Sequence, residues 1–586
     1  MTMQANTTTA KPVGLYDESY DAEACMIRVP FQSPGYHSRV ANGTMVHPTN
    51  PSLLYALELV GRNDPSCDER AGLIIRKVIA LQDQDPINKT YGIWPWLLEE
   101  PISAMAPPDW NWADFCGFRL ASILVKAANR FDPDLVKAMR ESLSHAAECI
   151  YRRNVGTHYT NICVMGGIVT TLAGEILNDP RMLAYGRRRL AEVVTDHERI
   201  GSFNEYNSPT YTKVVLWDCE EALGCLKDKA ARESVEYIFR QTWKVIADHF
   251  HPATGQWAGP HSRDYTSFMT QEMSQYIAFK TGVRVKTHPL ATATTKVSPL
   301  VGWITEPNNR DDQTKPAVRS STMFAAEAAV CPPEFVERFR RLPAPEFEIT
   351  EQYFAPRPPY PATRGTTWTH EEICLGSVNR DFFMDQRRAV LAFWNDAHDT
   401  PVVLRLRFMH DGREFSSACS VNAQRGGSVL SAVHLLLGQG DFHPSLDVPP
   451  NNTFEAEDFR LRYELCGKDI EALELDGGVF SLSAGNWSAL ISPARSTFAG
   501  HPVTWTLSRG DGWAAIDGVC YQGPRIAFPF HELPPVTLAA ALTLQRRGRS
   551  STAVPAVHMQ PGETSNQFQF GDLKVSVPSR AVPMFG

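Results

Sequence analysis

Paired cysteines, surplus positive charge and long apolar runs are all scarce in this 586-residue chain. None of its 12 cysteines stands in a CxxC pair, so neither a zinc ribbon nor a thioredoxin-type redox site is signalled. They are scattered from Cys25 to Cys520, several inside helical patterns, where a free thiol behaves as a small buried hydrophobe. Lys and Arg number 57 against 65 Asp and Glu, and a formal charge of -8 argues against nucleic acid as the main partner. No window offers the uninterrupted apolar run of a membrane helix, so no membrane partner is expected. His-x-x-x-His spacings are missing, and nothing visible calls for a metal or another cofactor. The opening residues, MTMQANTTTAKPVG, carry neither a basic n-region nor an apolar h-region. With reduced thiols, the expected location is cytoplasmic. Sequons at Asn42, Asn88, Asn451 and Asn486 look secretory, but such tripeptides often arise by chance.

What is present is enough apolar material, 43% of residues, for more than one core at this length. The expected fold class is multidomain α and β. An N-terminal α/α toroid, an incomplete barrel of helical hairpins, is followed by an antiparallel β-sandwich. Residues 1–50 read as an irregular arm with aromatic anchors. From 51 to 341 the pattern is helical; in 133–153, Leu135, Val136, Met139, Leu143, Ala146, Ala147 and Ile150 make one stripe. Asp132-Pro133, Asp179-Pro180 and Ser208-Pro209 are helix-start signals, an N-cap before a proline at the first helical position. Openings near Asp114, Asn161, Ser208 and Asp264 recur at the spacing of stacked two-helix hairpins. The Pro-rich stretch 342–361 reads as a linker. From 362 to 586, short segments such as AVLAFWN, VVLRLRFMH and VTWTLSR, rich in β-branched and aromatic residues, predict the sandwich.

Four polar-aromatic clusters stand at the starts of successive hairpins. They are 107–114 with Asp109, Trp110, Trp112 and Asp114, 157–161 with His158 and Asn161, 201–211 with Glu205, Tyr206, Asn207, Ser208 and Tyr211, and 259–265 with His261, Arg263, Asp264 and Tyr265. Elements holding one place in successive repeats lie on one end of the assembly, so a closing ring would bring these clusters together. Helix N-termini there suit an anion, and Arg263 adds a planar fork for a carboxylate. Carboxylate-holding donors beside a phenol or imidazole suit proton abstraction α to a carboxylate, the donors stabilising the enolate while Tyr or His moves the proton. Trp94, Trp96, Trp110 and Trp112 could form stacking walls for sugar rings, and they suit a core equally well. Asp109 reads equally as a helix-start acid, Asn207 and Ser208 as caps, Tyr211 as a structural phenol and His158 as a satisfied histidine.

The run GSFNEYNSPTY before a helix resembles the motif region of heparinase II/III-like and alginate-lyase-like α/α toroid proteins. GPHSRDY and Asn161 at a helix start resemble further pieces of the same site, as does the order of toroid and sandwich. The resemblance implies β-elimination at a uronic acid in an oligo- or polysaccharide. It would have Asn161 and Arg263 neutralising the C5 carboxylate and Tyr211 or Tyr265 as base and acid. His261 or His158 is the alternative base, and Glu205, Tyr206 and Asn207 shape the pocket. Two departures stand out: Ile162 follows Asn161 where many of those lyases place His, and no β-domain Tyr or His can be located. Other readings of the same residues are a small-molecule dehydratase, isomerase or cyclase, a glycoside hydrolase using carboxylates such as Asp109, Asp114 or Glu205, and a non-catalytic carbohydrate-binding protein. A carbohydrate or other anionic small molecule is the expected partner, and homo-oligomerisation is left open.

Overall fold

In the computed structural model, residues 16–32, 36–286, 329–354, 361–381, 386–548 and 554–584 are described. Nine helices of at least eleven residues occupy the first half of these. They are α1 (Thr49–Gly61), α2 (Pro65–Ile79), α3 (Trp112–Ala127), α4 (Pro133–Arg153), α5 (Thr160–Leu177), α6 (Pro180–Ile200), α7 (Tyr211–Leu223), α8 (Lys229–His249) and α9 (Gln271–Thr281). Consecutive helices pair as hairpins, α1 with α2 through α7 with α8. Odd helices then pack in the series α1, α3, α5, α7, and even helices in the series α2, α4, α6, α8. The result is a two-layered arc.

Sequence explains the two layers. The even helices α4, α6 and α8 carry one buried stripe on an otherwise polar surface, the mark of a helix with one side in water. The odd helices α3, α5 and α7 are buried almost all round. Thr160–Leu177 is in fact long and apolar enough to cross a membrane, which the reading above missed, yet it is a core helix packed between α3 and α7. Capping divides the same way. Asp64, Asp132, Asp179 and Asp228 accept N–H groups of the first turns of α2, α4, α6 and α8. The N-cap residues of α3, α5 and α7 supply no such bond, so the inner N-termini are left for other partners.

Three sequence expectations need correction. Asp264 opens no helix; α9 begins at Gln271, and Asp264 turns the chain toward the β half. The stretch 342–361 is not all linker, because Glu346–Phe354 is a strand paired with Thr363–His370. The arm is partly ordered, with short strand pairs such as Met26–Ile27 on Tyr20–Asp21.

The β half is built on two sheets, antiparallel except where Val582–Pro583 runs parallel to Ser428–Leu437 in the second. The larger, nine-stranded sheet runs in the order Thr504–Gly510, Trp513–Pro529, Thr453–Cys466, Pro401–His410, Val390–Asn395, Ile373–Val378, Thr363–His370 and Glu346–Phe354, with Arg413–Glu414 off its path. Alternation sets its faces. Val402, Leu404, Leu406 and Phe408 enter the sandwich core shared with the second sheet, while Val403 joins Leu391, Phe393 and Cys374 against Ala258 and Phe268 of the helical half. Arg405 Nη1 donates to Ser267 Oγ at 2.6 Å across the same interface. Close approach there requires glycine: a Cβ on Gly376 would lie 1.7 Å from the carbonyl oxygen of Gly259. The segment after Gly259 continues the contact, with His261 N–H donating to Arg388 O at 3.1 Å and Arg388 N–H returning to His261 O at 2.8 Å. Arg263 is thereby delivered to the junction of the two halves.

Candidate active site

The inner N-terminus of α5 is satisfied from the next hairpin. Glu205 lies in the turn before α7, and its Oε2 accepts the backbone N–H of Asn161 at 2.7 Å and the side-chain Nδ2 at 2.6 Å. Its Oε1 accepts from Arg263 Nη1 at 3.3 Å. A helix N-terminus, an amide and a guanidinium thus converge on a carboxylate of the chain itself, where the resemblance implied one of the substrate. Burial pushes the Glu205 carboxyl above its usual range, and Arg263 and the Asn161 donors oppose that push. For Arg263, burial alone would lower the pKa, but Tyr211, Tyr265, Tyr159 and Glu205 outweigh it and keep the guanidinium charged.

Arg263 organises the rest. Its Nε donates to Gln386 Oε1 at 3.0 Å and its Nη2 to Tyr211 OH at 2.9 Å, and the guanidinium lies 4.0 Å from the centre of the Tyr211 ring. Tyr211 OH is 2.9 Å from Tyr265 OH. Tyr211 is buried and Tyr265 only half-buried, so Tyr265 is the accessible end of the pair. Burial raises the Tyr211 pKa well above that of a free phenol, with Arg263 opposing. Tyr159 is pushed by burial to about 12, again against Arg263, and its hydroxyl accepts from Asn111 Nδ2 at 3.1 Å. Ser208 secures the geometry, its Oγ accepting from Tyr211 N–H at 3.0 Å and donating to Arg263 O at 2.5 Å.

Four residues of this neighbourhood escaped the sequence reading. Gln386 donates through Nε2 to Tyr36 OH at 3.2 Å, tying the β half and the N-terminal arm to Arg263. Tyr36 packs edge-on against His37 and His443, centroids 5.3 and 5.0 Å away. His443 comes from a turn of the β half. Burial, with Arg263 and His37, pushes its pKa down to about 4, so its ring is neutral. The N–H groups of Ser445 and Leu446 donate to its Nδ1 at 3.1 and 3.2 Å, which leaves the proton on Nε2. Only the aromatic anchors noted in the arm hinted at Tyr36.

Other expected residues lie elsewhere or serve the frame. Both ring nitrogens of buried His261 are engaged, Nδ1 with Asp264 Oδ2 and Nε2 with Trp257 O, each at 3.1 Å. Tyr206 is buried at the junction, stacked on Tyr353 with its hydroxyl 2.8 Å from His249 Nε2. Asn207, at φ 45°, clamps the carbonyls of Ala258 and Pro260 through Nδ2. Trp94 is a core residue whose indole N–H donates to Val78 O, and Trp112 donates to Thr49 Oγ1. Trp96 is buried against His37 and donates to Asp109 Oδ2 at 3.1 Å, while Asp109 Oδ1 accepts Asn111 N–H before α3. Trp110 is half-buried, donating to Lys89 O. His158 is exposed on the turn before α5. Among the described residues, no group of three or more His, Cys, Asp or Glu is placed to hold a metal ion.

A sequence-family profile described as "Domain of unknown function (DUF8769)" matches residues 14–298. No match is found among curated proteins. Among solved structures, the chain is similar to the chondroitin AC lyase of Streptomyces coelicolor A3 in complex with chondroitin sulphate. Identity is 10% and the TM-score 0.42, over 95% of this chain and 83% of that one. It is also similar to the heparan sulfate lyase HepC of Pedobacter heparinus, at 10% identity and a TM-score of 0.29, over 91% of this chain and 82% of that one.

Proposed function

We propose that this protein is a carbon–oxygen lyase acting by β-elimination on a uronate-containing glycan, with Tyr265 as the phenol that meets the substrate. The observation that carries the reading is the chain Tyr265–Tyr211–Arg263, with hydroxyl to hydroxyl 2.9 Å and hydroxyl to guanidinium 2.9 Å. Half-buried Tyr265 must first release its phenolic proton to solvent to act as a base, and the neighbouring Tyr211 hydroxyl, itself a recipient of an Arg263 N–H, can donate to the phenolate formed. Once the proton at C5 has moved to Tyr265, the same hydroxyl can return it to the leaving oxygen at C4, so one residue serves both half-steps. Arg263 has five N–H donors; Gln386, Glu205 and Tyr211 engage three, and Tyr159 is a further partner. Its positive charge can stabilise the carboxylate as the enolate-like form develops.

A glycoside hydrolase needs two carboxyl groups free to act as acid and as base or nucleophile. Glu205 is held by three donors, and Asp109 by Trp96 and Asn111, which disfavours that reading. The test is to incubate the protein with glucuronan, alginate, hyaluronan and chondroitin and follow the ultraviolet absorbance of the conjugated enoate. A new chromophore that disappears in Tyr265→Phe supports the lyase. Reducing sugar without a chromophore, or no product from any uronan, overturns it.

A further inference from the structure

Tyr265 has a second tyrosine beside it, and this one comes from the N-terminal arm. Tyr36 packs edge-on against His37 and His443, and its hydroxyl accepts Gln386 Nε2–H at 3.2 Å. Arg263 fixes the orientation of that amide. A guanidinium nitrogen can only donate, so Gln386 Oε1 faces Arg263 Nε at 3.0 Å and Nε2 is left for Tyr36. Tyr265 is the further hydrogen-bonding neighbour of Tyr36.

Proton directions follow, because a phenol has a single O–H to give. The Tyr211 oxygen accepts from Arg263 Nη2, and its own proton is satisfied when it points at Tyr265, 2.9 Å away. Tyr36 repeats the arrangement with Gln386 in the place of Arg263. Burial, and then the proximity of Tyr265, push the Tyr36 pKa well above that of a free phenol, so Tyr36 keeps the proton it would donate. Two O–H groups are thus available to the Tyr265 oxygen, and both relays begin at Arg263. One runs through Tyr211, the other through Gln386 and Tyr36. Such donors bind an anion more strongly than a neutral oxygen, so together they favour phenolate over phenol. The Tyr265 proton is the one that neither neighbour takes.

We infer that Tyr36 is a positioning residue of this site, supplying the second O–H that holds the Tyr265 phenolate and making the arm part of the catalytic apparatus. This deepens the lyase reading and rests on it for the use made of the phenolate, not for its formation. The test is nitration of the intact protein by tetranitromethane, which attacks phenolates in preference to phenols, at one mildly alkaline pH. Peptide mass spectrometry follows Tyr265, with exposed Tyr151 as the internal reference. Tyr36→Phe keeps the ring and removes only the O–H. Nitration of Tyr265 should slow by ~10-fold in that variant, the scale of one hydrogen bond to a charged group. The kcat for enoate formation should fall with it while KM stays unchanged. A ring that merely covered Tyr265 would give the opposite sign, since its loss could only admit the reagent. Nitration unchanged or faster in Tyr36→Phe, or no nitration of Tyr265 in the unaltered protein, overturns the inference. Slower nitration without enoate from any uronan would sink the lyase reading and leave the three-phenol arrangement standing. Enoate formation with nitration indifferent to Tyr36 would do the reverse.

Discussion

Tyr211 and Tyr265 touch through their hydroxyls at 2.9 Å, yet only Tyr211 also takes an N–H from Arg263. The two phenols therefore differ in what their loss does. Tyr265→Phe removes the accessible proton carrier, and we expect kcat to fall by about 10²–10⁴-fold with little change in Tm. Tyr211→Phe also strips the acceptor from a buried guanidinium, so it should lower Tm as well as rate. Steady-state kinetics with thermal unfolding of both variants distinguishes them; equal Tm losses would contradict the assignment.

The Glu205–Arg263 pair is buried on both sides. Removing one partner leaves an uncompensated charge in a low-dielectric site, at a cost of roughly 3–5 kcal/mol. Glu205→Ala should therefore be strongly destabilising, and Glu205→Ala/Arg263→Met should lose clearly less than the sum of the single variants. Urea denaturation of the four-member cycle measures the coupling. Strict additivity would mean that the pair stores no interaction.

Much of the helical frame was legible because its signals are local. Asp132-Pro133 and Asp179-Pro180 announce α4 and α6, and the Asp caps form as expected. The inner openings at Thr160 and Tyr211 fall within three residues of those read from Asn161 and Ser208. Misreading Asp264 has a physical cause: its turn is formed by hydrogen bonds to Gln386 and by cross-chain pairing of His261 with Arg388, partners more than a hundred residues away. Gln386 and His443 were invisible for the same reason, since periodicity reports which side of an element is buried and not which distant segment buries it. Glu205 was named as a residue shaping the pocket, and not as the acceptor for the N-terminus of α5. A sequence does not say that a helix N-terminus is already filled by the chain's own carboxylate.

Gly376 faces Gly259 across the junction that carries Arg263. An added Cβ at 376 would also lie 2.4 Å from Pro260 N, against backbone that has no room to yield. We expect Gly376→Ala to cost about 3 kcal/mol, at the upper end for overpacking, and to expose the junction to proteolysis. Gly72→Ala is the matched control. There the new methyl meets Leu135 at 3.5 Å inside α2, an ordinary contact, and replacing a helical glycine should leave stability unchanged or higher. Limited proteolysis and unfolding of the two variants should diverge.

Acid should weaken the fold through histidines buried in neutral form. His251 donates from Nε2 to His370 O and accepts Thr254 Oγ1–H at Nδ1, both at 2.8 Å, and burial holds its pKa at about 4. Burial, with Arg380, holds His434 at about 4 as well. An unfolded histidine titrates near 6.5. Between about pH 4 and 6.5 the unfolded chain therefore binds protons that the native chain refuses, and stability rises with pH. Above that window both states are neutral at these positions and the contribution is flat. Each of these two buried rings can add up to about 1.4 kcal/mol per pH unit within the window. Unfolding free energies measured from pH 4.5 to 8 should show the slope, and His251→Gln should reduce it by about one proton while shifting the plateau by a constant. A slope unchanged by that substitution would mean that His251 takes up its proton without unfolding, and that burial does not hold it neutral.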